Sequence, residues 1–547
     1  MVLFHYGQLS LFFNFKRNRK MAEIAFIIGI FSYLVFGLGL LSQLGNNQLK
    51  FLSFLFLTAV FFVFYKRKRI LKNELNKSIS VLKKDRLSFC LVIILTIAAV
   101  VNLIGVLGPE LAFDSLWYHL TLPKLFLREQ KIFFVPGGLF YYSAMPKLTE
   151  LFYLASLVFS PNGTGAKLIH FLFGVLSAIV LFNLSRRYLK TRESLLATVI
   201  FYTSLVVGWE SISAYVDLSR TFFELLALDL FLRWLEKSKS ILLFEFSLML
   251  GLAINTKLIA FASVPIYIFL IFLKKKKTSN ILYLISIILF VVSPWLIYSL
   301  VSTGNPVHPI FSGILDSHHR FPRINPVSLV EDIWQLFYHP ADPSSPIFLM
   351  FLPFVVWFSF RKKIEEHKTF YWYFWLALLF WSLTPKTGGF RFFLPYLPAL
   401  SLLIVFTVQK ISKFYQKIFL FLVFFCALIN IGYRFLANCK FIPVVFGKES
   451  RENFLLENLK FTENDFYDPG QEIKCIVKDD LVLIFGSHNL FYADFRYFHE
   501  SFAPRDVFFS YILTQNYSLD DKYGKLKVVY DNPKTKVKLY LYGDRLK

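Results

Sequence analysis

Long apolar runs separated by short basic loops constrain the fold of this chain more than any other feature. An α-helix needs roughly 20 apolar residues to cross the hydrocarbon core of a bilayer, and about 13 runs approach that length. The chain is 56% hydrophobic, whereas soluble domains are usually about 45–50% apolar. We therefore predict an α-helical polytopic membrane protein, with candidate spans near 22–44, 50–65, 87–107, 166–184, 195–210, 218–235, 241–254, 258–273, 280–301, 346–360, 369–384, 390–408 and 418–434.

The basic residues predict an orientation, because cytoplasmic loops of membrane proteins carry an excess of Lys and Arg. With the N-terminus in the cytoplasm, alternation places every strong basic cluster between spans on the cytoplasmic side. These clusters lie at 66–86, 186–192, 237–239, 274–277, 361–368 and 410–417. We therefore interpret the formal net charge of +24 as a topological signal and not as a nucleic-acid surface.

The number of helices within residues 241–273 decides on which side of the membrane every later loop lies. As one helix, about 33 residues would extend roughly 50 Å, far beyond the hydrocarbon core. A single helix would also place Lys274–Lys277 outside and reverse every later loop. We predict instead two short helices that turn at Asn255–Lys257.

The N-terminal segment and the cysteines give weaker information. The basic cluster KRNRK directly precedes the first span, which is typical of an uncleaved anchor, and translation starts at Met1 or Met21. Two of the four cysteines lie within apolar spans, and the set shows no metal-ligand spacing. Cys439 and Cys475 either pair in an oxidising compartment or remain free thiols.

The chain divides into three predicted parts: N-terminal anchor spans with a basic cytoplasmic loop (1–86), a central transmembrane region (87–434) and a soluble extracytoplasmic α/β domain (435–547). In the last part, LVLIFGS and VVYDNPKTKVKLYLYG predict strands, the second pair around an Asp-Asn-Pro-Lys turn. ESRENFLLENLKF predicts a helix with a serine cap.

The predicted external loop at 108–165 contains the densest group of chemically active side chains. Asp114 opens DSLWYHLTLPKLFL, whose apolar residues predict a helix lying in the membrane interface. A carboxylate there can take the proton of an attacking hydroxyl, a general-base role that typically contributes about 10²–10⁴-fold. Asp114 also suits a helix N-cap, and the two roles are compatible. Tyr118 and His119 follow one turn later, as substrate contacts or as ordinary hydrogen-bonded residues.

A metal is not predicted with certainty. Glu110 lies one turn before Asp114, but two carboxylates are a sparse ligand set for a divalent cation. A divalent cation remains a possible cofactor, and no metal ligand is assigned.

Three charged residues lie on the same predicted side as Asp114. Lys257, at the turn of the two short helices, is either a phosphate contact or a snorkelling lysine. Arg391 follows Gly388-Gly389, and its planar fork suits a phosphate or serves as an interfacial anchor. Asp217 begins a span, where it binds sugar hydroxyls, supports Asp114 or caps the helix.

Asn305 and His308 share that side, in a turn bounded by Pro306 and Pro309. They either line a sugar pocket or shape the loop. The aromatic residues do not indicate a sugar site, because Phe, Tyr and Trp are abundant in any membrane protein.

The pattern Asp-Ser-Leu-Trp-Tyr-His-Leu…Pro-Lys in the first large external loop resembles the polytopic GT-C glycosyltransferases. The closest resemblance is to the bacterial branch related to protein mannosyltransferases, lipid A aminoarabinose transferases and RgtA/B/C/D-like sugar transferases. Four further segments resemble motifs of these families and occur in the same order and on the same predicted side of the membrane. They are SAYVDLSRTFFELLALDLFLRW (213–234), GLAINTKLIAFASVPIY (251–267), TGNPVHPIF (303–311) and RFFLPYLPALSLL (391–403). Many relatives carry two adjacent acidic residues at the catalytic position, whereas Ser115 follows Asp114 here.

The resemblance implies transfer of a sugar from a polyprenyl-phosphate carrier to a lipid, glycan or protein acceptor, usually with inversion, on the external face of a bacterial inner membrane. The implied fold is a GT-C-like bundle with interfacial helices in the first external loop and a small C-terminal α/β domain. Asp114 would then be the general base, with Tyr118, His119, Asp217, Lys257, Asn305, His308 and Arg391 binding substrate.

Two rival functions remain open from the sequence. A transporter or flippase of a lipid-linked or anionic solute normally places ionisable residues near the bilayer midplane, whereas the candidates here collect at one surface. A lipid-linked oligosaccharide ligase or polymerase would be expected to carry its largest external loop later in the chain. Membrane lipids are expected partners in every case, and nucleic acid is not.

Overall fold

The computed structural model describes residues 2–66, 68, 85–312, 326–342, 344–360, 367–384 and 389–543, without the side chains of 2–20 and 326–328. Most of the predicted basic clusters at 66–86 and 361–368 lie outside the described residues. So do the middle of the predicted 302–345 loop and the first four residues of PKTGGFR at 385–391.

Helices dominate the chain from its N-terminus to residue 445. The first half contains α1 (Val2–Leu40), α2 (Asn46–Tyr65), α3 (Arg86–Leu107), α4 (Thr121–Arg128), α5 (Leu148–Leu157), α6 (Thr164–Ser185), α7 (Thr191–Tyr202), α8 (Leu205–Glu210), α9 (Asp217–Lys237), α10 (Ser240–Thr256), α11 (Ser263–Leu273) and α12 (Thr278–Thr303). The second half contains α13 (Pro326–Tyr338), α14 (Pro346–Ser359), α15 (Lys368–Ser382), α16 (Phe390–Phe393), α17 (Leu397–Val408), α18 (Lys413–Asn438) and α19 (Ile442–Val445).

Every predicted span is helical, which confirms the helical bundle. Among the described residues, seven helices are long and apolar enough to cross a membrane by themselves. The predicted run at 195–210 is two helices, α7 and α8, because the chain turns at Thr203–Ser204. The expected number of about 13 crossings therefore stays a prediction.

The predicted break within 241–273 is confirmed. Helix α10 ends at Thr256, Lys257 is extended with φ −154° and ψ 121°, and a 3-10 turn over Leu258–Ala262 leads into α11. Each half is thus a short apolar helix, as the length argument requires.

Four of the six basic loops predicted to share the cytoplasmic side contact one another, with Arg187 pairing with Glu236 between them, and the end of the bundle where they lie is here called the basic end. Arg192 Nη2 lies 3.0 Å from Asp85 Oδ1, which joins two of the basic loops. Lys276 Nζ donates to Ser238 Oγ at 2.8 Å, which joins two more. These contacts are consistent with the predicted alternation of loops between the two sides of the membrane.

Helix α9 is the centre of the bundle. Its residues from Asp217 to Trp234 are all buried, and it packs against α6, α10 and the 3-10 turn at Leu394–Tyr396. It runs from Asp217, at the end opposite the basic end, towards Lys237. Four of its buried residues are charged inside the bundle and pair within the helix: Arg220 with Glu224 and Arg233 with Asp229.

The first long loop leaves the bundle where α3 ends. Lys167 of α6 donates to the carbonyls of Gly105, Gly108 and Pro109 at 2.8–3.2 Å, which satisfies groups that a helix C-terminus otherwise leaves unpaired. Glu110 Oε1 accepts the N–H groups of Leu111 and Ala112, both at 2.9 Å. The loop is thereby anchored immediately before Asp114.

The C-terminal domain is α/β, as predicted. It contains α20 (Arg451–Asn458) and α21 (Glu472–Val477), and the strands β1 (Val482–Phe485), β2 (Tyr497–His499), β3 (Tyr511–Gln515), β4 (Lys527–Asn532) and β5 (Val537–Leu541). The sheet order is β2-β1-β3-β5-β4, with β1 parallel to β2 and β3 and the other pairs antiparallel. Ser450 Oγ caps α20 through Asn453 N at 3.1 Å.

Two short strands, β2 and β3, were not predicted from the sequence. All four cysteines are free thiols, which decides the alternative left open for Cys439 and Cys475.

The C-terminal domain packs on the first long loop. Lys124 of α4 donates to the Phe491 carbonyl at 2.7 Å and pairs with Asp494 at 2.5 Å. The Tyr492 hydroxyl donates to the Glu110 carbonyl at 2.8 Å. Loop and domain therefore lie together at the end opposite the basic end.

Candidate active site

Asp114 lies at the start of a π-helical turn formed by Ser115–His119. Its carboxylate makes no capping hydrogen bond to that turn. Instead, Asp114 Oδ2 lies 2.7 Å from Arg391 Nη1, and the side chain is 20% exposed. The carboxylate is therefore accessible and is held by a cation from a distant part of the chain.

Arg391 joins two carboxylates. Its Nε donates to Asp217 Oδ2 at 3.1 Å while Nη1 contacts Asp114. The guanidinium also lies over the Tyr215 ring, 4.1 Å from its centroid. Its backbone N–H donates to Asp342 Oδ2 at 3.2 Å, which orients the segment that carries it.

Lys257 completes the cluster. Its Nζ lies 2.7 Å from Asp217 Oδ1, and its ammonium lies 4.5 Å from the centroid of the Phe392 ring. Lys257 is thus an internal ion-pair partner and not a snorkelling residue. Asp217 likewise does not cap α9, because both of its oxygens bind cations.

Asp114, Arg391, Asp217 and Lys257 form one chain of alternating charges, here called the charge chain. They come from the first loop, the start of α16, the start of α9 and the break after α10. The structure therefore unites four of the eight residues predicted for the site.

The electrostatic environment keeps Asp114 ionised. Burial works to raise its pKa, but the Arg391 guanidinium, which pairs with the carboxylate, and the Lys257 ammonium outweigh burial and hold the pKa below its usual range. Hydrogen bonding and opposite charge both favour the ionised form of a carboxyl group. Asp114 is consequently a carboxylate at neutral pH, ready to accept a proton.

Aromatic rings surround the carboxylate. Tyr118 stacks on Tyr142 with ring centroids 3.8 Å apart, and Trp117 meets Tyr142 edge-on at 5.3 Å. His119 Nδ1 lies 3.0 Å from Glu150 Oε1. Burial lowers the pKa of His119, although Glu150 opposes this effect, so a neutral ring donates through Nδ1 and leaves buried Nε2 as an acceptor.

Asn305 and His308 are not brought into the charge chain by any hydrogen bond or ion pair among the described residues. Asn305 bonds within its own turn, donating to the Ile310 carbonyl at 2.6 Å and accepting from Val307 N at 3.0 Å. His308 lies edge-on to Phe134 of the first loop, with ring centroids 5.9 Å apart. Loop shaping therefore accounts for Asn305, and His308 faces the loop and not the four charges.

Three site residues were missed from the sequence. Glu210, at the end of α8, is completely buried with Oε1 3.4 Å from Arg391 Nε. Tyr215 lies against the guanidinium, and Asp342 binds the backbone of Arg391. Tyr215 and Asp342 lie in loops on the side predicted for Asp114 and Glu210 directly precedes one, which was the only signal that pointed to them.

Arg220 supports the charge chain from inside the bundle. It lies one turn after Asp217 on α9, pairs with Glu224 at 2.6 Å and donates to the Phe392 carbonyl at 3.4 Å. It thereby ties the Arg391–Phe392 segment to the helix that carries Asp217. Among the described residues, no group of three or more His, Cys, Asp or Glu side chains is arranged to hold a metal ion.

Comparison with known proteins agrees with this geometry. Residues 149–298, which include Asp217 and Lys257, match the family model described as dolichyl-phosphate-mannose-protein mannosyltransferase. The fold matches ArnT from Cupriavidus metallidurans in the apo state, with a TM-score of 0.58 and 12% identity over 84% of this chain and 99% of that chain. The chain therefore has a GT-C-like fold.

A second GT-C structure, ArnT from the same organism bound to undecaprenyl phosphate, matches with a TM-score of 0.54 and 13% identity, covering 83% of this chain and 98% of that chain. Curated protein sequences give no significant match. At this level of identity, the GT-C resemblance fixes the architecture and leaves the substrates open.

Proposed function

We propose that this protein is an inverting glycosyltransferase that moves a sugar from a polyprenyl-phosphate donor to a lipid, glycan or protein acceptor. It works as an integral protein of a bacterial inner membrane, on the extracytoplasmic face, with the N-terminus in the cytoplasm. The observation that carries the proposal is the charge chain, which sets an accessible, ionised Asp114 beside the buried Arg391 and the partly buried Lys257 at one end of the bundle.

The donor's phosphate is the natural ligand of these cations. Arg391 presents a planar fork and Lys257 a compact ammonium, and both suit a phosphate oxygen. In the resting structure their partners are carboxylates. A donor phosphate takes the place of Asp114 on Arg391, while Asp217 keeps Lys257 and Arg391 in position. The undecaprenyl phosphate bound to ArnT supports this class of donor.

The reaction then needs one proton transfer and one displacement. Asp114 takes the proton of the acceptor hydroxyl as its oxygen bonds to the anomeric carbon of the sugar. The bond from that carbon to the phosphate oxygen breaks, and its electron pair leaves on polyprenyl phosphate. Because attack is opposite to the leaving group, the anomeric configuration inverts. Preorganised cations stabilise the charge that develops on the phosphate.

When the donor phosphate displaces Asp114 from Arg391, the pKa of Asp114 also changes. While Arg391 holds Asp114, the pKa of Asp114 is low and the carboxylate is a weak base. A base is most effective when its pKa lies near the working pH. Loss of the Arg391 contact on donor binding raises the pKa of Asp114 when the acceptor must be deprotonated.

The remaining predicted contacts have secondary roles. Tyr118 is buried and stacks on Tyr142, so the two rings form part of the wall beside Asp114. His119 offers Nε2 as an acceptor for a sugar hydroxyl. Asn305 and His308 shape the turn that follows α12, and neither is assigned a direct contact.

Transfer in oriented membrane vesicles tests the proposal and its main rival together. Vesicles containing the protein receive a polyprenyl-phosphate donor with an isotope-labelled sugar, and an acceptor extract is added outside. We expect label in the acceptor, in the inverted configuration, with right-side-out vesicles and not with sealed inside-out vesicles. Movement of labelled donor across the membrane without transfer would favour a transporter, and transfer only in inside-out vesicles would overturn the assigned face.

A further inference from the structure

A cavity of about 730 Å³ lies between the first long loop and the C-terminal domain, apart from the charge chain. Helix α4, the connection from α5 to α6 and the C-terminal domain form its walls, and Asn46, the first residue of α2, forms its floor. Because α2 is a candidate membrane span, the cavity opens at the level where lipid headgroups lie. Ligand pockets typically measure about 300–1,000 Å³, so this volume suits one or two sugar rings.

Positive charge predominates in the walls. The cationic lining residues are Lys124, Arg128, Arg451, Lys474, Lys478 and Arg496, and the acidic ones are Asp468, Asp479 and Asp494. Of the acids, Asp494 pairs with Lys124. Asp468 uses both oxygens, accepting from Ile473 N and Lys474 N at 3.0 Å. The three carboxylates therefore leave half of the positive charge of the six cations uncompensated.

Two cations are available to a ligand. Lys478 and Arg496 line the cavity, and neither side chain has a partner among the residues that the structure describes. The backbone of Lys478 has φ +51°, a conformation that glycine adopts far more easily than lysine.

The cavity also offers flat apolar surfaces. Tyr467 and Tyr492 meet edge-on in its wall, with ring centroids 5.7 Å apart, and Phe491 and Phe495 lie beside them. Aromatic rings and a few converging charges are the usual lining of a site for a small polar molecule. A sugar ring can stack on the former while an anionic substituent meets the latter.

The same wall touches the segment that carries Asp114. Phe491 N donates to the Leu116 carbonyl at 3.3 Å, two residues after Asp114. The Tyr492 hydroxyl donates to the Glu110 carbonyl at 2.8 Å. A molecule held in the cavity is therefore bound to the same rigid unit that holds the proposed base.

We propose that this cavity binds an anionic saccharide, a sugar bearing phosphate or carboxylate, as the remote part of a membrane-anchored acceptor. The assignment of the ligand as an acceptor rests on the proposed glycosyltransferase function. The binding site itself rests on the cavity, its charges and its aromatic walls. The cavity thereby holds the acceptor by a part that lies away from its reacting hydroxyl. The cavity recognises the anionic sugar, and the charge chain recognises the phosphate of the donor.

Binding to the full-length protein tests the site without any transfer. Glucuronate, glucose 6-phosphate and glucose are titrated into the purified protein in phosphatidylcholine nanodiscs. We expect both anionic sugars to bind at least about tenfold more tightly than glucose, since one charge-assisted hydrogen bond is worth about that factor. Equal affinity for glucose would overturn the proposal, as would loss of sugar binding when phosphatidylglycerol is added to the discs, which would identify an ordinary lipid-phosphate site.

A charge-matched pair of variants locates the site. Lys478→Ser with Arg496→Ser removes the two available cations, and Lys525→Ser with Lys527→Ser removes two exposed lysines of the same domain outside the cavity. We expect the first pair to lose the preference for anionic sugars and the second to keep it. Equal behaviour of the two pairs would contradict the location.

Transfer kinetics separate this inference from the proposed function. In the glycosyltransferase assay, the cavity variant should raise KM for an anionic acceptor about tenfold and leave the donor KM unchanged. An unchanged acceptor KM with active enzyme would refute the acceptor role alone. Absence of any transfer by the wild type, with anionic sugars still bound, would refute the proposed function and leave the cavity as a binding site.

Discussion

At the scale of single residues, Arg391 is the most informative position, because it binds Asp114 and Asp217 at once. Its charge lowers the pKa of Asp114 against the opposing effect of burial. A general base works in its deprotonated form, so the rate falls as the pH drops through its pKa. Removal of a neighbouring cation raises that pKa and moves the fall to higher pH.

Arg391→Gln should therefore slow transfer and shift the acid side of the pH–rate profile towards neutral pH. Arg391→Lys keeps a positive charge and should shift the profile much less, although it loses the contact to one of the two carboxylates. The pH dependence of kcat/KM for the donor, between acidic and neutral pH, measures the effect in both variants, because kcat/KM reports the free enzyme, in which Arg391 contacts Asp114. A profile for Arg391→Gln that keeps the wild-type acid limb would show that Asp114 is not the titrating base.

The sequence identified these residues but not their pairing. Asp114, Asp217, Lys257 and Arg391 each had a competing structural interpretation, as a helix cap, a snorkelling lysine or an interfacial anchor. Those alternatives concern local structure, which the surrounding residues describe. The ion pairs join segments that are far apart in the chain, such as Asp217 and Arg391, 174 positions apart. Only the packing of α9 against α16 and the first loop reveals them.

At the scale of elements, the contact between the first loop and the C-terminal domain controls the position of Asp114. Gly137 of the loop has φ +84°, and a Cβ atom there would lie 1.8 Å from the Ser501 carbonyl oxygen. That oxygen belongs to the backbone next to β2, so it cannot move aside without shifting the strand. Glycine is therefore required at this contact.

Gly137→Ala should loosen the loop from the domain, lower the thermal midpoint and reduce transfer. The backbone conformation alone costs an alanine about 1–3 kcal/mol, and the clash adds to this cost. Gly138→Ala is the matched control, because a Cβ there meets nothing within 4 Å. Thermal melting and limited proteolysis of the purified proteins measure the effect. Identical melting of the two variants would contradict the close contact.

Sequence patterns located the elements well where periodicity or length decided them. The break between α10 and α11 followed from the length of the bilayer core, and the serine cap of α20 followed from a local motif. Strands β2 and β3 were missed, because three to five residues carry too short a pattern and their pairing with β1 is non-local.

At the scale of the whole molecule, charge parity brought the candidate residues to one side before any contact was known. In the structure, basic loops contact one another at one end, and the charge chain, first loop and C-terminal domain lie at the other. The assignment of these ends to the two sides of a membrane stays a prediction. Charge parity could not tell which residues on one side of the membrane belong to the site. It gave Asn305 the same weight as Lys257, although only Lys257 enters the charge chain.

The central claim is that Asp114 acts as the base while the cations hold the donor. Asp114→Asn removes the base and keeps the shape of the side chain, and Asp85→Asn, which breaks the ion pair with Arg192 at the basic end, is its control. Donor affinity and the rate of sugar transfer are measured separately with purified protein in nanodiscs. We expect Asp114→Asn to bind the polyprenyl-phosphate donor as tightly as the wild type or more tightly, because Arg391 is released, while transfer falls about 10²–10⁴-fold. Asp85→Asn should behave as the wild type, and transfer at the wild-type rate by Asp114→Asn would contradict the account.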